Sequence, residues 1–76
     1  MFEKKQLRAE LVIAGISQAE LARRLGINKS TLYKKINGIT EWTLSEIRKV
    51  GEVLGVDKIP RIFFAGEFPK RSKMQN

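Results

Sequence analysis

Five of the six residues from 29 to 34, namely Lys29, Ser30, Thr31, Tyr33 and Lys34, carry the side chains of this chain best suited to chemistry. That chemistry is recognition by hydrogen bond and charge. A lysine can donate to guanine O6 and N7, a serine or threonine hydroxyl can donate or accept, and a tyrosine ring can lie on a thymine methyl while its hydroxyl reaches a base or a phosphate. Bond-making chemistry has little to work with. The chain contains no Cys and no His, which removes disulfides, zinc-finger ligands, thiol and imidazole nucleophiles and the usual general base. Carboxylates are present, but no pair is placed in a recognisable cleft. Neither an enzyme, a metal site nor a cofactor is expected.

To act together, such residues need a rigid element that presents them on one face. The surrounding segment, SQAELARRLGINKSTLYKKING over 17–38, supplies one. Ser17 can cap a helix through its hydroxyl, and Glu20, three residues on, can reach back to the capping residue's own N–H. From about Gln18, Leu21, Ala22 and Leu25 fall on one face at helical spacing, while Glu20, Arg23 and Arg24 fall elsewhere and stay wet, the two arginines solvated or paired to Glu20 rather than bound to DNA. Gly26 supplies a left-handed turn, Ile27 points back inward and Asn28 can cap the next helix. In that second helix, over about 28–37, Leu32 and Ile36 form the buried stripe, leaving Lys29, Ser30, Thr31, Tyr33, Lys34 and Lys35 outside. Asn37-Gly38 ends it.

Gln18, Ala19-Glu20-Leu21-Ala22, Leu25-Gly26, Ser30-Thr31-Leu32, Ile36 and Asn37-Gly38 together resemble the helix-turn-helix of the phage repressor and Cro family, at its normal spacing. The flanking helices fit as well, so the resemblance covers about residues 5–65. It implies an all-α fold, a compact five-helix bundle of the lambda-repressor-like DNA-binding type with a basic C-terminal tail, divided as a domain over 1–66 and a tail over 67–76. It implies that Lys29, Ser30 and Lys34 touch base edges and that Gln18 and Asn37 hold the phosphate backbone. Groove geometry adds Tyr33 to the base readers, because the first turn and a half of a helix point deepest into the major groove; Thr31 can do either job. Gln18 sits at a helix N-terminus, where free N–H groups and the dipole favour a phosphate. Asn37 has a second, compatible role in the left-handed conformation that ends helices. Lys35 faces the flank, where a phosphate is the most it can reach.

Length and charge bound the rest. The 76 residues have room for one domain, whose net stability is roughly 3–5 kcal/mol. With 15 Lys and Arg against 8 Asp and Glu, the net charge of +7 favours a polyanionic partner, nucleic acid or an acidic membrane. The longest apolar runs are short and interrupted, so no signal peptide or membrane span is expected and a cytoplasmic protein is. Along the chain, Leu7, Leu11 and Ala14, widened by Val12 and Ile13, mark a helix over 3–14. Thr43 and Glu46 form a second capping box, opening a helix over 44–54 with Leu44, Ile47, Val50, Gly51 and Leu54 on its apolar face. Gly51 inside a helix costs about 1 kcal/mol against Ala, which points to close packing there. Asp57 is a candidate cap and Pro60 a first-turn residue for a short fifth helix. Trp42 is read as core, with a phosphate or a dimer partner as alternatives.

The loop after the recognition helix, Ile39-Thr40-Glu41-Trp42, departs from the family pattern, which puts basic residues there to grip the sugar-phosphate chain. Thr40 is the phosphate contact it offers, and Glu41 repels. Compensation can come from Lys4 and Lys5, or from Lys70, Arg71 and Lys73 acting as an arm along the DNA; a merely solubilising tail is the alternative for that last cluster. Family members usually bind palindromic operators as two-fold dimers. Ile59, Ile62, Phe63, Phe64 and Phe68 are more apolar side chains than one closing helix needs, so with Ile59 and Phe63 finishing the core, Ile62, Phe64 and Phe68 are expected in a homodimer interface. The leading expectation is a sequence-specific transcription regulator, a phage or prophage repressor or Cro-like protein, that binds double-stranded operator DNA and takes no small-molecule substrate. The alternative is an antitoxin-like or adaptor protein that grips a protein partner through the C-terminal apolar segment and DNA secondarily.

Overall fold

A computed structural model describes residues 1–66. Five helices follow one another: α1 Lys4–Ala14, α2 Gln18–Leu25, α3 Lys29–Ile36, α4 Leu44–Leu54 and, after a 3₁₀ turn at Val56–Lys58, α5 Ile59–Phe63. Among the described residues there is no strand and no helix long and apolar enough to cross a membrane. The all-α fold is the one the sequence implies. Helix α2 lies at the centre, packing on both α3 and α4, while α1 and α5 pack on each other and on α4. The core comprises Leu7, Leu11, Leu21, Ala22, Leu25, Leu32, Ile36, Val50, Ile62 and Phe63.

Local signals explain most of the boundaries. Ser17 Oγ accepts from the Glu20 N–H at 3.0 Å and Thr43 Oγ1 from the Glu46 N–H at 3.1 Å. Only α4 completes its box, with Glu46 Oε1 accepting from the Thr43 N–H at 2.9 Å. Glu20 turns away to Arg23 and Arg24 instead, because two cations one turn downstream compete for its carboxylate. Gly26, at φ 76°, ends α2, and the Ile27 N–H then donates to the Ala22 carbonyl at 3.0 Å while its side chain packs on the core. Gly51 has the close neighbour its position requires: a Cβ there would lie 2.5 Å from Ile59 Cδ1.

Several faces differ from the sequence reading. Val12 and Ile13 are 80% and 77% exposed, because steps of about 100° per residue carry them past the Leu7–Leu11 stripe. The third buried position of α1 is Glu10. Gln6 Nε2 donates to its carboxylate at 3.0 Å, and Lys58 Nζ and Arg61 Nη1 each lie 3.8 Å away. Leu44, the first residue of α4, stands exposed beyond the packed turns, and Asp57 makes no cap. Ile62 is fully buried. It cannot serve a dimer interface as expected, since α5 lays it between α1 and α4 to close the core. Phe64 is half-buried against the core and Phe68 lies outside the described residues.

Candidate DNA-reading face

The geometry of the candidate site begins with how α3 starts. Asn28 Oδ1 accepts from the Thr31 N–H at 2.8 Å and from the Ser30 hydroxyl at 2.9 Å. One carboxamide therefore caps the helix and orients a candidate reader. With its proton directed at Asn28, Ser30 keeps its oxygen lone pairs outward, ready to accept from an exocyclic amine. Lys29, Ser30, Tyr33 and Lys34 are all exposed, and at helical spacing they span an arc of about 140°. Leu32 and Ile36 lie off that arc and are buried. Tyr33 is 61% exposed, an unusual position for an aromatic ring that has no part in the core. Thr31 is half-buried at the edge of the arc. No acidic residue lies on α3, so the face is uniformly basic and polar.

Lys35 is placed otherwise than expected. Its side chain and that of Glu46 are 8% and 14% exposed, with Nζ 3.0 Å from the Glu46 carboxylate, and it also donates to the Glu41 carbonyl at 2.9 Å. Its angular position beside Leu32 is the reason: the flank of α3 is covered by the α3–α4 loop, so this ammonium is spent inside the protein and does not face a phosphate. Burial by itself pushes the Glu46 carboxyl up, yet the Thr43 N–H and the Lys35 ammonium together outweigh it and hold the group below its ordinary value. On α2, hydrogen bonds from Arg23 and Arg24 lower the Glu20 carboxyl to about 2.

The remaining candidates lie at two edges. Gln18 is exposed in the first turn of α2, and Thr40 is exposed in the loop after α3. Asn37 stands at the end of α3 with φ −94°, and the left-handed position falls one residue later, at Gly38. Its side chain caps the helix, with Nδ2 donating to the Tyr33 carbonyl at 2.9 Å, while Lys4 Nζ donates to its Oδ1 at 3.2 Å. A groove of about 480 Å³ lined by Lys4, Lys5, Ile36, Asn37 and Gly38 among others joins the start of α1 to the end of α3. Folding thus brings Lys4 and Lys5 beside the candidate reading helix, a closeness that nothing in their sequence separation announces. Lys70, Arg71 and Lys73 lie outside the described residues.

Trp42 belongs to the core. Its ring centroid is 5.2 Å from that of Phe2 and 5.0 Å from that of Phe63, and its Nε1 is buried without a hydrogen-bond partner, so it offers no donor to a phosphate. The cluster anchors the α3–α4 loop to the chain's first residues. Sequence reasoning missed Phe2, because a single aromatic residue ahead of a helix shows no periodicity.

Comparison with the curated proteins finds no match, and comparison with the solved structures finds none. The helix-turn-helix family matches residues 6–58, from the first helix to the turn before α5, and so takes in the capped α2–Gly26–α3 unit and the exposed face described above. The chain belongs to this family, the phage repressor and Cro type of helix-turn-helix, and is a DNA-binding transcription regulator.

Proposed function

We propose that the protein is a repressor or Cro-like regulator of a phage or prophage, reading a palindromic operator as a homodimer. The observation that carries the reading is the face of α3, where Lys29, Ser30, Tyr33 and Lys34 stand exposed on one arc of a helix capped by Asn28. These four read base edges, with Thr31 in support. Gln18, Asn37 and Thr40 hold phosphates, and Lys4 and Lys5 extend that grip past the end of α3. The basic Lys70, Arg71 and Lys73 add to it as an arm. Phe64 and Phe68 contribute to the dimer interface, a role Ile62 does not share.

Selection of bound sequences from random duplexes, at a stated salt concentration because phosphate contacts make affinity salt-dependent, tests the reading directly. A palindrome should be enriched. Enrichment of no sequence would overturn operator reading, and a monomer in sedimentation at high micromolar concentration, both free and on DNA, would overturn the dimer. On the selected site, Lys34→Ala should relax discrimination at particular base pairs by about 1–3 kcal/mol, whereas Gln18→Ala should weaken all sequences alike. Equal losses on operator and random DNA for Lys34→Ala would remove it from the base readers.

A further inference from the structure

Helix α3 is only 8 residues long, too short to hold its own conformation or direction in water. Its packing is on α2, and α4 also packs on α2, but α3 and α4 hardly touch each other directly. Leu32 and Ile36 hold α3 through apolar contact, which is non-directional and tolerates rotation and sliding. The directional link between α3 and α4 is Lys35. Its ammonium donates to the Glu46 carboxylate at 3.0 Å and to the Glu41 carbonyl at 2.9 Å, and Glu46 Oε1 also accepts from the Thr43 N–H at 2.9 Å. Two acceptors, the Glu46 carboxylate on α4 and the Glu41 carbonyl in the α3–α4 loop, thus converge on one side chain of the reading helix, shielded from solvent, while the Thr43 N–H holds the same carboxylate oxygen. A buried pair of this kind is weak as a source of net stability, since an apolar pair of similar volume often does as well. Its distinctive property is direction: the ammonium must lie within reach of the Glu46 carboxylate and the Glu41 carbonyl at once.

We infer that Lys35 and Glu46 are positioning residues, which set the tilt of α3 against α4 and thereby which base edges Lys29, Ser30, Tyr33 and Lys34 reach, without touching DNA themselves. The inference rests on the reading of α3 as the base-reading helix. Base contacts need donor–acceptor distances near 2.7–3.2 Å and good alignment, so a small rotation of α3 about its apolar contacts is enough to lose one base pair and accept another. Contacts to phosphate are less demanding, and total affinity should move less than discrimination.

The test uses the full chain, its selected duplex and single-base variants of that duplex, titrated over a salt series. Lys35→Met keeps the stem and removes the ammonium; Glu46→Gln keeps the shape of the cap and removes the charge, and gives an independent reading if Lys35→Met does not fold. Each variant should lower the ratio of affinities between the selected site and its variants about tenfold, with the slope of log K against log salt unchanged. The double variant should lose no more than either single one, because the two act as a unit. A slope reduced by about 0.9 with equal loss on every sequence would overturn the inference by making Lys35 a phosphate contact. A lowered melting temperature with discrimination intact in both variants would overturn it by leaving the pair a purely structural role. Failure of the underlying reading shows separately, as a wild-type chain that prefers no sequence, and the inference falls with it.

Discussion

Lys34 and Lys35 are adjacent and chemically identical, yet one stands in solvent and the other is sealed against Glu46 and the Glu41 carbonyl. The difference is one step of about 100° around α3. That step separates a residue that can meet DNA from one bound within the protein, and the helical pattern alone cannot say how wide a flank the next loop covers. The exposed side chains of α3 were legible for the opposite reason: they lie off the stripe of Leu32 and Ile36 and have nothing to pack on. The Thr43 N–H and the Lys35 ammonium, which outweigh burial at Glu46, make stability depend on pH. The Glu46 carboxyl titrates below the ordinary 4.5 when folded, so its contribution to stability is present above that value and is lost as pH falls through the folded-state value. Thermal melts from pH 7 to pH 3 should therefore show a steeper loss of stability for the wild type than for Glu46→Gln. Parallel curves would show that the pair does not couple to protons. Glu20, lowered to about 2 on an exposed surface, keeps its charge further into acid.

Helix existence and order could be read from the sequence, because caps and glycine stops are local: Ser17, Asn28 and Thr43 open α2, α3 and α4 as their types require. Faces were less legible. In α1 the third inward position belongs to Glu10, made tolerable by Gln6 and by Lys58 and Arg61, about fifty residues away in the chain; no pattern within the helix points to partners at that separation. Gly51 is the converse case, a local oddity that signalled a distant neighbour correctly. Alanine in a helix is favoured over glycine by about 1 kcal/mol, but the added Cβ would sit 2.5 Å from Ile59 Cδ1 and 3.1 Å from Cγ1, and overpacking costs about 1–3 kcal/mol. Gly51→Ala should thus be neutral to destabilising by up to about 2 kcal/mol, and become stabilising when introduced into Ile59→Ala. Urea denaturation of the four proteins of that cycle measures it; a gain of stability from Gly51→Ala in the wild-type background would show that Ile59 moves aside freely.

At the scale of the molecule, the margin is narrow. A helical domain of this size holds roughly 3–5 kcal/mol, and truncating one buried leucine costs about 2–5 kcal/mol. Leu32, 1% exposed, anchors α3 to this core, so Leu32→Ala should lower the midpoint of a melt followed by circular dichroism by at least about 8 °C. A smaller shift would mean that α3 is held chiefly by its polar links. Local patterns, which depend only on neighbours along the chain, determined the number and order of helices, the capped turn between α2 and α3, the basic outward face and the absence of thiol or imidazole chemistry. Tertiary structure alone decided that Lys35 is enclosed, that Glu10 is neutralised from across the chain, that Lys4 reaches the end of α3, and that Ile62 closes the core. Each of those outcomes depends on which surfaces meet, and that is set by the packing of all five helices together.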